Sequence, residues 1–232
     1  ALWTYFKNAK RDPGLDEGAT TVAYLPNKGW FWYIPLSGDM VSVGIVAERD
    51  YLFNGSTKDH EEIFCREVQN NEWIKEHLAE AEQTGEYRIT GEYSYRNRYC
   101  ASEGLVLAGD AFGFLDPVFS SGVFLALKSG VILADEIELA LENGDLSAKS
   151  FDRYAKKMQS SMETMRKIVY AFYDKDFSFG DLAKRGEHLR AALTDCLIGN
   201  VDDNEFRELF DAISDLAELP DPVEHGLTTA SS

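Results

Sequence analysis

The chain has only three cysteines among its 232 residues, and no two of them form a Cys-x-x-Cys arrangement. Cys65, Cys100 and Cys196 are far apart, so a disulfide framework and a zinc site are both disfavoured. We interpret each as a small apolar filler in a protein of the reducing cytoplasm. The four histidines have no metal-ligand spacing between any two of them, and we predict no metal site.

Long apolar runs and positive charge are also scarce. No run reaches about 18 apolar residues, so no membrane span is predicted, and no basic, apolar secretory leader is present. Lys and Arg number 23 against 40 Asp and Glu, which gives a formal net charge of −17. This balance disfavours a nucleic-acid partner or an anionic membrane surface. We therefore expect a soluble, cytoplasmic protein with a sizeable core.

Strands are predicted mainly in the first 50 residues. Short polar turns separate the apolar runs there, which favours an antiparallel sheet. The predicted strands span residues 2–6, 20–25, 30–36, 40–46, 87–100 and 105–108, and the predicted turns of the first sheet span 11–14, 26–29 and 37–39.

Helical periodicity dominates the rest of the chain. Residues 57–84 fit one or two helices ended by Gly85. An apolar helix over 123–141 is predicted to be buried on most sides, and an amphipathic helix is predicted over 147–173. Beyond these, short helices alternate with turns at Gly180, Gly199 and Pro220, and about seven final residues are predicted to be disordered.

Residues 104–123 carry the most distinctive local pattern. A short apolar strand leads into Gly109-Asp110, a tight loop follows, and a helix begins near Gly122. Glycine lets backbone N–H groups approach a ligand, and a helix N-terminus favours negative charge. The same N–H groups can instead be capped by Ser120 or Ser121, and an aspartate after a strand is often an N-cap. The pattern alone leaves both interpretations open.

A second candidate is the aromatic run from Gly29 to Pro35. Strand alternation places Trp30, Trp32 and Ile34 on one face and Phe31 and Tyr33 on the other. Aromatic walls suit a planar ligand or an apolar pocket. A core strand packed on a helix is the better account when this run is considered alone.

Together the two runs resemble the flavin-dependent halogenases, within the larger group of flavin monooxygenases and geranylgeranyl-reductase-like proteins. The Gly-Trp-x-Trp-x-Ile-Pro pattern of the family is met over 29–35, and its Phe-x-Asp-Pro-x-x-Ser-x-Gly pattern over 114–122. The Gly-Asp-Ala of the wider FAD group is met over 109–111, and Tyr95-Arg96, which leads into that strand, also resembles the family. The resemblance covers residues 1–145 and extends more weakly to about 215.

The resemblance implies an α/β (α+β) fold. It consists of an incomplete FAD/NAD(P)-binding Rossmann-like domain with an antiparallel substrate-binding sheet and a helical C-terminal region. Residues 1–100 would form the substrate-binding sheet with a helical insert. Residues 101–146 would be the C-terminal strand, loop and helix of the FAD-binding domain, and 147–232 the helical region.

The activity implied by the resemblance is FAD-dependent halogenation. A flavin reductase supplies reduced FAD, and a flavin hydroperoxide oxidises chloride or bromide to halogenate an electron-rich aromatic or carrier-protein-tethered substrate. By the same resemblance, the cofactor-binding residues would be Gly109, Asp110, Pro117, Gly122 and Val123. The halide would be held by the N–H groups of Ser121 and Gly122. The substrate pocket and tunnel would include Trp30, Trp32, Pro35, Phe114, Phe119 and Ser120.

The sequence departs from the family pattern in two ways. The Gly-x-Gly-x-x-Gly that binds the ADP part of FAD is absent, and the catalytic lysine of the family belongs to the same N-terminal half, so no catalytic residue is assigned. We therefore expect the C-terminal portion of a longer enzyme, inactive and poorly stable alone, with apolar surface exposed along 123–141. Phe119 replaces the glutamate of tryptophan halogenases, which favours a phenol, a pyrrole or a carrier-tethered acyl group over free tryptophan.

Two other functions remain open from the sequence. One is an FAD-dependent monooxygenase or a geranylgeranyl-reductase-like oxidoreductase of the same fold. The other is a degenerate, non-catalytic binding module that has lost its ADP site. A continuous reading frame upstream of Ala1 with the missing glycine motif would favour the enzyme, and a natural start codon at Ala1 the module.

Overall fold

Two units make up the fold in the computed structural model, Ala1–Glu92 and Tyr93–Ser232. The structure describes residues 1–25, 29–55, 57–201 and 206–228. Most of the turn predicted at 26–29 lies outside these ranges. The division into 1–100, 101–146 and 147–232 stays a prediction.

The first unit is built on a five-stranded sheet in which every neighbouring pair is antiparallel, as predicted. The strand order is β2-β3-β4-β1-β5. The strands are β1 (Leu2–Lys7), β2 (Thr21–Leu25), β3 (Gly29–Pro35), β4 (Met40–Ala47) and β5 (Glu82–Ile89).

Helices pack against one face of this sheet, and the hydrophobic core of the first unit lies between them and the sheet. They are α1 (Arg49–Leu52), α2 (His60–Val68) and α3 (Glu72–His77). Phe31 meets Phe64 of α2 edge-on at 6.1 Å between ring centroids, and Tyr33 meets Trp73 of α3 at 5.2 Å. The Asp59 carboxylate accepts the first N–H groups of α2, which fixes where that helix begins. The core interpretation of Phe31 and Tyr33 is therefore confirmed.

Gly85 does not end a helix, so the prediction of a helical segment over 57–84 was wrong at its C-terminal end. Helix α3 ends at His77, and β5 already begins at Glu82. Gly85 lies inside β5 with φ +82°, and the pairing of β1 with β5 shifts register between Trp3 and Tyr5. Glycine adopts this left-handed conformation readily, so here it produces a β-bulge.

Two predicted strands are much shorter than expected. In place of a strand over 87–100, β5 ends at Ile89 and β6 contains only Tyr95–Arg96. In place of one over 105–108, β7 (Ala101–Ser102) pairs with β8 (Leu105–Val106), and β6 pairs with β9 (Gly113–Phe114). A strand requires a hydrogen-bonding neighbour, and beyond Ile89 these runs find only short partners among the described residues.

The second unit is mainly helical, and the predicted helices near 123–141 and 147–173 are confirmed. Gly180 was predicted as a turn but lies in the first turn of α6, where the Ser178 hydroxyl accepts the Asp181 N–H. Gly199, with φ +94°, does form a turn. The helices are α4 (Gly122–Asn143), α5 (Asp152–Tyr173), α6 (Phe179–Lys184), α7 (Glu187–Leu197) and α8 (Arg207–Ser214).

Helix α4 is buried on one face only, so the prediction of burial on most sides was wrong. Val123, Leu127 and Val131 are 74%, 67% and 70% exposed, because no described element covers their face. The apolar surface expected along this helix is thus confirmed. Its buried residues are Leu125, Ser129, Leu133, Glu136 and Ala140. No helix in the described ranges is long and apolar enough to cross a membrane.

Hydrogen bonds connect the described end of the chain to other segments of the second unit. The Leu227 carbonyl accepts the Cys100 N–H, and the Thr228 hydroxyl donates to the Asp152 carboxylate. The prediction of disorder was therefore wrong for 226–228, since hydrogen bonds hold this segment in place. Residues 229–232 lie outside the described residues.

Two of the three cysteines are apolar fillers as predicted. Burial raises the pKa of the Cys100 thiol to about 11 and that of Cys196 to about 12, which keeps both unreactive. Cys65 is exposed on α2, so the filler interpretation was wrong there.

Candidate functional site

Three tryptophans lie together in the first unit. The Trp32 ring is 6.2 Å from those of both Trp3 and Trp30, measured between centroids. The Trp32 indole N–H donates to the Ser42 hydroxyl over 3.1 Å, which fixes the orientation of the ring. Trp30 is only 3% exposed. The predicted alternation along β3 is thus confirmed, and Pro35 ends the strand.

Gly44 makes room for this tryptophan cluster. It pairs directly with Trp32 across β3 and β4, and the indole lies over its Cα. A Cβ at position 44 would lie 2.3 Å from Trp32 Cζ2 and 2.6 Å from Trp3 Cβ. Only glycine therefore allows the Trp32 ring to lie flat here.

The first half of the 109–122 loop lies close to α4. Gly109 has φ +54°, and its N–H donates to the buried Ser129 hydroxyl over 2.8 Å. Asp110 follows in a 3-10 turn whose N-cap is Ala108, so its carboxylate does not cap the turn. With none of the described residues does that exposed carboxylate form a hydrogen bond. The N-cap alternative for Asp110 is therefore wrong, and its oxygens are available to a ligand.

The second half of the loop is fixed by Asp116. One carboxylate oxygen accepts the Val118 N–H over 3.0 Å, and the other accepts the Tyr173 hydroxyl over 3.0 Å. Pro117 opens the 3-10 turn that follows, and Ser120 adopts a left-handed conformation with φ +53°. These constraints turn the chain sharply into α4.

Neither serine caps α4, which removes the other alternative interpretation. Ser121 is the N-cap residue, but its hydroxyl accepts no N–H of the helix, and the exposed Ser120 forms no such bond to the described chain. The first-turn N–H groups of α4 are therefore available to donate to another acceptor. Gly122 is the first helical residue, and the Phe114 ring lies 3.5 Å from where its Cβ would be.

The structure brings some predicted residues together and separates others. Gly109, Asp110, Phe114 and Gly122 surround one small, partly enclosed space, together with residues of α4 and α5. Val123 points to solvent. Phe119, predicted in the substrate pocket, packs edge-on against Phe172 and Phe179 at 5.7 and 6.0 Å in the helical core. Trp30, Trp32 and Pro35 belong to the first unit and Pro117, Ser120 and Ser121 to the second.

A cleft of about 270 Å³ lies in the second unit beside this loop, and the sequence had not predicted it. It lies between α5 and the β6–β9 pair. Its lining residues are Ser94, Tyr95, Arg96, Phe114, Leu115, Asp116, Met162, Glu163, Arg166, Val169, Tyr170, Tyr173 and His225.

A buried charged cluster forms one wall of the cleft. Arg166 donates to both oxygens of Glu163, at 2.6 and 3.0 Å, and to the Asp221 carbonyl at 2.6 Å. His225 Nε2 lies 3.1 Å from the same carboxylate, while its buried Nδ1 has no hydrogen-bond partner among the described residues. Burial lowers the pKa of His225, against the opposing effect of Glu163. The spacing of these residues in sequence gave no signal of the cluster.

Replacing Tyr173 by phenylalanine is expected to destabilise the loop rather than the core. The change keeps the ring and removes the hydroxyl that donates to Asp116, a hydrogen bond that contributes about 1 kcal/mol. Amide hydrogen exchange at Val118 should become faster, and the free energy of unfolding should fall by about that amount. Tyr99→Phe is the matched control, since the Tyr99 ring packs under Arg98. Equal exchange at Val118 in both variants would show that this hydrogen bond does not stabilise the loop.

The chain is 29% identical over 206 residues to a 1H-pyrrole-2-carbonyl-(peptidyl-carrier protein) chlorinase from Pseudomonas fluorescens, covering 88% of this chain and 45% of that protein. It is 32% identical over 145 residues to the corresponding brominase from Pseudoalteromonas luteoviolacea, covering 62% and 36%. The solved structure of the flavin-dependent brominase Bmp2 matches with a TM-score of 0.82 at 26% identity, covering 92% of this chain and 53% of that one.

The chain thus spans between about a third and a half of the curated relatives it matches. These relatives confirm the resemblance predicted from the two motifs and the mixed fold with an antiparallel sheet. A family model described as tryptophan halogenase matches residues 8–187. This match covers well over half of the chain, which therefore belongs to the tryptophan halogenase family.

Proposed function

We propose that the protein is an FAD-dependent halogenase and that the 109–122 loop binds the flavin and the halide. The observation that carries this proposal is the uncapped start of α4. Its uncapped N–H groups follow the left-handed Ser120, and Gly122 lines the same small space as the exposed Asp110. Backbone N–H donors at a helix start suit a halide ion, and a carboxylate suits the hydroxyls of a ribityl chain.

The residues present fit the flavin part of FAD. Gly122 lacks a side chain where a planar ring would approach the backbone, Gly109 lies closely against Ala126 of α4, and the exposed Asp110 has acceptor oxygens. Pro117 and Val123 would lie along the ring, and the N–H groups of Ser121 and Gly122 would hold chloride or bromide. Bound reduced FAD would supply the activation of O₂ that oxidises the halide. The ADP part would need residues beyond those motifs, because the chain has no Gly-x-Gly-x-x-Gly.

The proposed substrate is an electron-rich aromatic, either free or tethered to a carrier protein. Support comes from the names of the first two relatives, which act on a pyrrole-2-carbonyl group carried by a peptidyl-carrier protein. We assign a flavin reductase as the source of reduced FAD and the cytoplasm as the location. Trp30, Trp32 and Pro35 would keep the substrate away from the flavin, and Phe114 and Ser120 would line its path. Phe119 would position this loop through its contacts with Phe172 and Phe179.

The test is a product assay with the full-length protein, FAD, a flavin reductase, NADH and bromide. The substrates are pyrrole-2-carbonyl-loaded carrier protein and a set of phenols. Brominated product that depends on bromide is expected. Hydroxylated product without any brominated product would support a monooxygenase instead. The absence of any oxidised or reduced product would support a binding module.

A pair of glycine variants in α4 tests the site itself. In Gly122→Ala the new methyl group would project beside the proposed halide site, meeting only Phe114, whereas in Gly130→Ala it meets nothing within 4 Å. Both variants should fold. Gly122→Ala is expected to lower bromination by about tenfold or more, since small displacements at a reacting centre are costly. Gly130→Ala should keep the original rate, and equal rates for both would refute the assigned loop.

A further inference from the structure

We propose that the C-terminal segment, residues 225–228, positions the turn formed by residues 109–112, with Asn97 and Gly226 as the positioning residues. The inference rests on the proposed function, because it takes flavin as the ligand of that turn. It goes beyond that function by making the flavin site depend on a segment at the end of the described chain.

Two side chains at β6 hold the carbonyl groups of this turn. The Tyr95 hydroxyl donates to the Asp110 carbonyl, and the Asn97 side-chain amide donates to the Ala111 carbonyl. The Asn97 backbone N–H also donates to the Phe112 carbonyl over 3.3 Å. Because each peptide group is planar, a held carbonyl fixes the orientation of its whole peptide group. The conformation of the turn therefore depends on where these two side chains lie.

The C-terminal segment pairs with the stretch of chain that contains Asn97. The Gly226 N–H donates to the Asn97 carbonyl over 2.8 Å. The Leu227 N–H donates to the Arg98 carbonyl over 2.8 Å, and the Leu227 carbonyl accepts the Cys100 N–H over 2.9 Å. Since the Asn97 carbonyl is bound to this segment, a displacement of the segment would also displace the donors that Asn97 offers to the turn.

A direct contact also connects the segment to the turn. The buried Phe112 ring lies against Gly226, whose φ is +62°. A Cβ at position 226 would lie 2.4 Å from Phe112 Cζ. Phe112 also meets His225 edge-on, at 5.9 Å between ring centroids. Only glycine therefore allows the segment to pass this close to the last residue of the turn.

Helix α5 anchors the C-terminal segment. The Gln159 side-chain amide donates to the His225 carbonyl over 3.0 Å, and the Thr228 hydroxyl donates to the Asp152 carboxylate. The His225 Nε2 contacts the Glu163 carboxylate at 3.1 Å. A segment held at three places along one helix can act as a fixed support for the turn.

Coupling between the turn and the C-terminal segment must act in both directions. If the ordered segment favours the turn conformation that binds flavin, then bound flavin favours the ordered segment to the same extent. Flavin binding should therefore slow amide hydrogen exchange at Gly226 and Leu227. The proposed function places neither residue at the flavin, so slower exchange there would report the coupling.

The experiment compares two glycine variants of the full-length protein. In Gly226→Ala the new methyl group meets the Phe112 ring, whereas in Gly144→Ala it meets nothing within 4 Å. The two glycines have nearly the same φ, +62° and +65°, so the backbone strain of alanine is matched. Circular dichroism and thermal unfolding establish that both variants fold. Flavin fluorescence measures FAD affinity, and amide exchange at Ala111 and Phe112 follows the turn without FAD.

Gly226→Ala is expected to speed exchange at Ala111 and Phe112 and to weaken FAD binding by about tenfold, a usual magnitude for coupled sites. Gly144→Ala should leave both quantities unchanged. Phe112→Leu added to Gly226→Ala should recover part of the FAD affinity, because the shorter side chain leaves room for the methyl group. A mere loss of stability would not be rescued in this way.

Equal effects of the two glycine variants on exchange in the turn would overturn the proposal. So would exchange at Gly226 and Leu227 that FAD leaves unchanged in the original protein, a measurement that needs no variant to fold. Failure of the original protein to bind FAD would refute the proposed function alone, because exchange in the turn of the glycine variants is measured without flavin.

Discussion

Replacing Arg166 by methionine is expected to destabilise the second unit by about 3–5 kcal/mol. Methionine keeps most of the packing of the arginine stem but removes its charge. Glu163 would then stay in a site where its side chain is only 15% exposed, without its bidentate partner. The Asp221 carbonyl would also lose its donor. A buried charge that has lost its oppositely charged partner is among the most costly single changes in a folded protein.

Chemical denaturation of the chain measures this effect, with two further variants as controls. Arg190→Met removes an exposed ion pair with Glu187, whose side chain is 87% exposed, and should cost less than about 1 kcal/mol. Arg166→Met combined with Glu163→Leu should recover part of the loss, because no unpaired charge remains. A cost for Arg166→Met no larger than that for Arg190→Met would show that the cluster adds nothing to stability.

Gly44→Ala is expected to destabilise the first unit by about 1–3 kcal/mol, although alanine is normally tolerated in a strand. The new Cβ would overlap the Trp32 indole at 2.3 Å and crowd Trp3 Cβ at 2.6 Å. Trp32 must then leave its position over the strand and lose its hydrogen bond to Ser42. Thermal unfolding and intrinsic tryptophan fluorescence report the two parts of this change.

Two variants separate this clash from a general effect of alanine. Gly91→Ala adds a methyl group with nothing within 4 Å and should leave stability almost unchanged. Trp32→Leu in the Gly44→Ala background should cost less than the sum of the two single changes, since the smaller side chain leaves room for the methyl group. Additive costs would indicate that Gly44 and Trp32 do not interact.

The parts of the fold that were predictable from sequence are those governed by local pattern. Alternation placed Phe31 and Tyr33 in the core and Trp30 and Trp32 on the other face. Glycine and proline positions located the loop that ends at Gly122. These features depend on the two-residue period of a strand and on turn chemistry, which act over a few residues.

The features that could not be predicted depend on tertiary contacts. The cleft assembles Arg96, Arg166 and His225 from segments separated by about 60 residues or more, and no short-range spacing encodes that meeting. Gly85 signals a break, but only the pairing of β5 with β1 decides that the break is a bulge. The apolar residues around α4 likewise indicate that several faces of this helix could be buried. Which of these faces is exposed depends on the elements packed against the helix.

The bulge at Gly85 makes the two edges of the five-stranded sheet unequal in their resistance to aggregation. At the β5 edge, the bulge and the charged Glu82, Glu86 and Arg88 interrupt the flat, uncharged template that a strand from another molecule would need. At the opposite edge, β2 reads Thr-Val-Ala-Tyr-Leu without a charge, and the Tyr24 carbonyl receives a donor there from the Asn71 amide. In the first unit considered by itself, intermolecular β-pairing would therefore begin at β2 rather than at β5.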